Sequence, residues 1–236
     1  MCTVSYINTN GVVIITSNRD EKVIRPEAIS PRNYFHKGKN ITYPKDPKAG
    51  GTWFAIDEYG NVVVLLNGGI EKHKPKFSYR KSRGLIALDI IADASPKDFW
   101  QQINLEDIEP FTLVLFQDSM LYELIWDGLE KRTRPLDESQ NHIWSSVTLY
   151  SAEVRKERAS WFVDFLQDKK EISASEMLSF HQNTKREDSE NGLVINRENN
   201  LKTLNVTQAI IQQNKGTMQY YDLLNAQYFS TSFISI

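Results

Sequence analysis

The sequence predicts an α+β protein: two antiparallel sheets sandwiched between helical layers, in one domain spanning residues 1–236. Three observations lead there. β-branched, alternating segments come in pairs joined by short turn signals, as antiparallel hairpins require. Along the chain the order runs strands, helices, strands, helices, strands. No repeat, low-complexity tract or linker interrupts it.

Taken in order, residues 1–8 alternate as a strand, Thr9-Asn10-Gly11 is a turn signal, and 12–17 form a β-branched run. This predicts an N-terminal hairpin with Asn18-Arg19-Asp20-Glu21 at its far end, opposite Cys2. Residues 22–51 carry Pro26, Pro31, Pro44 and Pro47 among polar residues and read as a long loop or lid. A second hairpin follows over 53–56 and 62–67, closed by Asn67-Gly68-Gly69, where glycine lets a backbone approach a ligand. Residues 72–83 are basic and lead into a helix whose apolar face runs to about Ala92. Ser95-Pro96 opens a short helix through Ile103. Strands follow at 111–116, 121–126 and 130–134. Residues 152–166 form an amphipathic helix, and 173–180 a second one capped by Ser173 or Ser175. After a charged loop at 184–191, strands return at 201–211, 217–224 and 228–234.

Composition bounds the function. Hydrophobic residues make up 40% and charged residues 25%, the balance of a soluble globular chain. A net charge of −2 argues against a nucleic-acid partner, which asks for a basic face. No apolar run reaches the length of a membrane span, and no secretory signal pattern opens the chain. One cysteine makes no internal disulfide, which fits a reducing cytoplasm. The expected partner is a small-molecule ligand or substrate, and the oligomeric state is not legible.

Candidate chemistry centres on that cysteine. A lone Cys is more often a small buried hydrophobe than a nucleophile. Position 2 changes the weighing, because removal of Met1 would leave a thiol and a free α-amine on one residue. Such a residue is a nucleophile with its general base attached. The tetrad from Asn18 to Glu21 is otherwise an ordinary charged turn. His36, His73, His142 and His181 are scattered without zinc-type spacing, and no carboxylate cluster suits a hard cation, so no metal or cofactor is expected. The paired glycines at 50–51 and 68–69 match neither dinucleotide nor Walker phosphate loops. The basic run at 72–83 reads as a solvated loop and helix start.

Together, Met1-Cys2-Thr3, Ser17 to Glu21 followed by Arg25-Pro26, Gly50-Gly51-Thr52-Trp53, Leu66-Asn67 and Ser82-Arg83-Gly84 resemble the NRDE family, which includes the transport and Golgi organization protein 2 proteins. The resemblance is strong over residues 1–92 and order-consistent beyond. That family is similar to N-terminal-nucleophile hydrolases, with an αββα fold, and to the cysteine amidases that include bile salt hydrolases and penicillin V acylases. The resemblance implies Cys2 as nucleophile, Arg19 and Asp20 as the groups holding thiolate and ammonium, and Asn67 as oxyanion donor. Glu21 is the alternative carboxylate, Asn18 is expected to face the site, and Trp53 to line it. A second asparagine of the amidases falls where this chain has Thr148-Leu149-Tyr150-Ser151, and their late arginine has no evident match. Two functions follow as expectations: cleavage of a C–N bond in a small acylated molecule, or a non-catalytic haem- or lipid-handling protein, with His36 as a candidate ligand residue.

Overall fold

The computed structural model describes residues 3–234, so the expected place of Cys2 lies outside the described residues. The first strands, β1 (Thr3–Thr9) and β2 (Val12–Lys22), pair antiparallel with Thr3 opposite Asn18 and Tyr6 opposite Ile15. Next come β3 (Ile29–His36), β4 (Lys39–Lys45), β5 (Phe54–Asp57) and β6 (Val62–Asn67). Helices α1 (Arg83–Ile91) and α2 (Pro96–Gln102) precede β7 (Phe111–Gln117), β8 (Met120–Trp126), β9 (Lys131–Leu136) and β10 (His142–Ser145). Then follow α3 (Ala152–Leu166), α4 (Ala174–Asn183), β11 (Leu201–Gln212), β12 (Lys215–Asp222) and β13 (Gln227–Ile234).

The strands form two antiparallel sheets. One has the order β10-β1-β2-β11-β12-β13, the other β3-β4-β5-β6-β7-β8-β9. Val4, Tyr6, Val13 and Ile15 of the first meet Val62, Val64 and Phe116 of the second in one apolar core, with the Tyr6 and Phe116 rings 6.1 Å apart. Helix α1 lies on β5 and β6, and α2 on β7. Helix α4 lies on β2 and β11, and α3 on β10, closing a separate cluster of Ile7, Ile14, Phe162, Met177 and Phe180. β7 is buried along its whole length, which explains a sequence apolar at nearly every position rather than at every second one.

Two expectations are corrected. Residues 22–51 are not one loop, because most of them form the β3–β4 hairpin at the edge of the larger sheet. The prolines that suggested a loop are accommodated there. Pro31 falls in the register shift between Ile29 and Arg32, on a strand with one free edge, where a missing N–H costs little. The Asn18–Glu21 tetrad is not a turn either, since β2 continues to Lys22. The four-residue strand β10 was not foreseen.

A fully buried histidine ties the first sheet to its helices. His181 of α4 places Nε2 2.7 Å from Ser5 Oγ, while Nδ1 meets Asn18 Oδ1. Burial, then the nearby Arg158 charge, pushes its pKa down to about 3. The unfolded chain therefore binds a proton at this residue below pH 6.5 that the folded chain refuses until about pH 3. Stability is full above that window and falls as pH drops through it, at about 1.4 kcal/mol per pH unit from this residue. Denaturant melts between pH 7 and 4 should show a shallower loss for His181→Gln than for the native chain. Equal slopes would remove His181 as the source.

Candidate functional site

Residues inside a strand point alternately to opposite faces, and β2 uses this to separate its charges. Asn18 and Asp20 face the helical layer, whereas Arg19 and Glu21 face a cleft of about 600 Å³. Arg19 and Asp20 are each only 3% exposed, so each needs a partner.

Arg19 has its Cζ 4.1 Å from the centre of the Trp53 ring, and its Nη2 donates to Asp46 Oδ2 at 3.1 Å. Desolvation lowers its pKa, opposed by the charges of Glu21 and Asp46. Asp46 also accepts from Arg25 Nε at 2.6 Å and from the backbone N–H groups of Lys48 and Ala49, both at 3.0 Å. Burial alone would raise the Asp46 pKa, but the Arg25 and Ala49 hydrogen bonds and the two guanidiniums hold it below the usual carboxylate range. Glu21 lies 3.7 Å from Arg25 Nε, at the same cleft.

Asp20 is held from the other side. Tyr150 Oη donates to its Oδ2 and Thr203 Oγ1 to its Oδ1, both at 2.6 Å. The pairing between β2 and β11 shifts register between Thr203 and Asn205, opposite Asp20 and Arg19, as a bulge does where side chains must be re-aimed. The Tyr150 ring is covered by the Arg158 guanidinium, 3.6 Å from its centre. Arg158 is itself buried and donates to Thr3 Oγ1 at 2.5 Å and to the carbonyl of Asn191 at 3.1 Å.

Other expected residues divide. Trp53 and Asn67 line the cleft, with Asn67 at the end of β6, where its carbonyl accepts from Ser146 Oγ at 2.8 Å. Asn18 does not line it. Its amide donates to the carbonyls of His181 (3.0 Å) and Leu193 (2.7 Å), a tie between β2 and the segment around α4. His36 sits on β3 with Nε2 2.8 Å from Tyr43 Oη. Among the described residues no group of His, Cys, Asp or Glu is arranged to hold a metal ion, and no helix is long and apolar enough to cross a membrane.

The cleft floor depends on two glycines. A Cβ on Gly51 would lie 2.4 Å from the Gly84 carbonyl carbon, and one on Gly84 would lie 2.7 Å from the Thr52 carbonyl oxygen. Only glycines allow the 51–53 segment to reach the start of α1, where Ser82 caps the helix by accepting from Leu85 N. Sequence reasoning missed Asp46 and Arg158. The signal for Asp46 was Asp46-Pro47 followed by Gly50, a turn pattern whose carboxylate caps its own loop. Arg158 carried no local signal within a charged helix.

No curated protein matches this chain by sequence. Solved structures with a similar fold include two single-residue variants of conjugated bile acid hydrolase from Clostridium perfringens. They superpose with TM-scores of 0.64 and 0.65 at 10% identity, covering 98% of this chain and 92% of theirs. The N-acylethanolamine-hydrolyzing acid amidase ortholog of Caenorhabditis elegans gives 0.62 at 10% identity, over 88% of this chain and 92% of that one. The fold is therefore that of N-terminal-nucleophile hydrolases, as expected. A family model described as transport and Golgi organisation 2 matches residues 1–232, so the chain belongs to that family.

Proposed function

We propose that the protein is an N-terminal cysteine amidohydrolase acting on the C–N bond of a small acylated molecule. The observation that carries this reading is the placement of Arg19. It is a buried guanidinium stacked on Trp53 at the cleft, one position along β2 from Asn18, which pairs with Thr3, the residue bonded to Cys2. Bile acid hydrolase and acid amidase, the fold neighbours, are hydrolases by name, which agrees with the reading.

In this mechanism Met1 is removed and the Cys2 α-amine takes the thiol proton. The thiolate attacks the substrate carbonyl, and the oxygen of the tetrahedral intermediate accepts a hydrogen bond from the Asn67 amide. A preorganised donor of this kind is typically worth about 10²–10³ in rate. Collapse breaks the C–N bond, the ammonium returns its proton to the leaving amine, and water then hydrolyses the thioester on Cys2. Arg19 stabilises the thiolate, and Asp20 holds the ammonium. Trp53 packs the acylated substrate. The same reading takes residues 1–236 as one domain working in the cytoplasm, where a lone thiol stays reduced.

One observation favours the alternative, a ligand carrier. The 148–151 segment brings no amide side chain, and its Tyr150 hydroxyl is committed to Asp20, so the oxyanion site has no evident second donor there. Turnover decides between the two.

Two experiments test the proposal. Cys2→Ala should keep the native melting temperature and lose all turnover over an amide panel, while intact mass of the native protein should lack Met1. Activity surviving in Cys2→Ala refutes the nucleophile. Separately, Tyr150→Phe should cost about 1–3 kcal/mol in urea unfolding, because a buried carboxylate loses a hydroxyl partner. It should also lower kcat more than it raises KM. A change in neither would show that Tyr150 does not position Asp20.

A further inference from the structure

The cleft carries a sign opposite to that of the chain. The protein as a whole has a net charge of −2. Lining the cleft, however, are the cations Arg19, Arg25, Lys48, Lys81 and Arg83 against only Glu21, Asp46 and Glu109. Those three carboxylates are already committed. Asp46 serves Arg19 and Arg25, Glu21 lies beside Arg25, and Glu109 pairs with Arg83 at 3.0 Å. Lys81 pairs with Asp89, which is not part of the lining, and Lys48 makes no ion pair among the described residues.

Two further features ask for an acceptor. Helix α1 begins at the cleft with Ser82, Arg83 and Gly84, and its first turn holds no acidic residue to offset the positive end of the helix dipole. Trp53 Nε1 is a buried donor without a hydrogen-bond partner among the described residues, and so is Arg19 Nη1, which the proposed mechanism turns toward the thiolate and which the Cys2→Ala protein leaves open to a ligand. Their residues are 4% and 3% exposed, and both line the cleft. Buried donors are rarely left unpaired unless something outside the chain pairs them. A neutral carbonyl could satisfy one donor, but it leaves Lys48 without a counter-charge.

We infer that the small molecule received by this cleft carries a compact anionic group (carboxylate, sulfonate or phosphate monoester), taken up by Lys48, Lys81 and the start of α1. This rests on the reading of the cleft as the substrate site and narrows the substrate class to acidic acylated molecules. The hydrocarbon part then lies along Leu65, Tyr79 and the fully exposed Phe77 at the rim.

The test uses Cys2→Ala protein, so that binding is read without turnover. Calorimetric titration compares N-octanoylglycine, N-octanoyltaurine and the phosphate monoester of N-octanoylethanolamine with neutral N-octanoylethanolamine and the methyl ester of N-octanoylglycine. At least one acidic probe should bind about tenfold more tightly than the neutral ones, with the preference shrinking as salt is raised. Lys48→Glu and Lys81→Gln, each checked for a native melting temperature, should remove most of the preference. Equal affinities for acidic and neutral probes, or no saturable binding of any acidic probe, overturn the inference. Because the nucleophile is absent, such a result leaves the proposed hydrolysis standing. Conversely, missing turnover in the native protein would not touch the binding preference.

Discussion

Everything at the site depends on keeping adjacent opposite charges buried within a single strand. Arg19 and Asp20 are neighbours in β2 and almost fully enclosed. Strand alternation sends them to opposite faces of the sheet, so neither neutralises the other. Each must find compensation in its own layer, because an uncompensated buried charge costs several kcal/mol. The guanidinium finds Asp46 and the Trp53 ring, and the carboxylate finds Tyr150 and Thr203. One side is thereby made part of a cleft, the other part of a helix-covered core.

That division organises more distant parts of the chain. The Asp46 turn is closed by its own carboxylate and by Gly50, and it leads to Gly51, whose missing Cβ lets α1 approach. On the opposite face, the bulge in β11 brings Thr203 onto Asp20, while Arg158 packs over Tyr150 and reaches back to Thr3. Strands β1 and β11 and the segments around α3 and α4 therefore meet at β2. A site assembled from residues so far apart in sequence is held by the sheet rather than by any local motif.

How much of this was legible follows from the range of each interaction. Helix α3 matches its expected bounds, and the β5–β6 and β7–β8 hairpins appear as read, because periodicity and turn chemistry are local signals. The β3–β4 hairpin was hidden by prolines that an edge strand and a register shift tolerate. Strand β10 was hidden because His142-Ile143-Trp144-Ser145 is too short to show a period; it exists because β1 offers it an edge. Of the residues the sequence singles out, Arg19, Glu21, Trp53 and Asn67 line one cleft. Asn18 was assigned to the wrong face, since a strand that continues through the tetrad alternates where a turn would not. Asp46 and Arg158 act through contacts 27 and 155 residues away, which no single-sequence pattern encodes.

On the proposed mechanism, the guanidinium at position 19 stabilises a thiolate on the one cysteine of the chain. The pH dependence of iodoacetamide alkylation reads this directly, because only one thiol is present. An alkylation inflection well below the ordinary thiol value of about 8.5, moving upward in Arg19→Gln, is the predicted result. An inflection at the ordinary value in both proteins would contradict it.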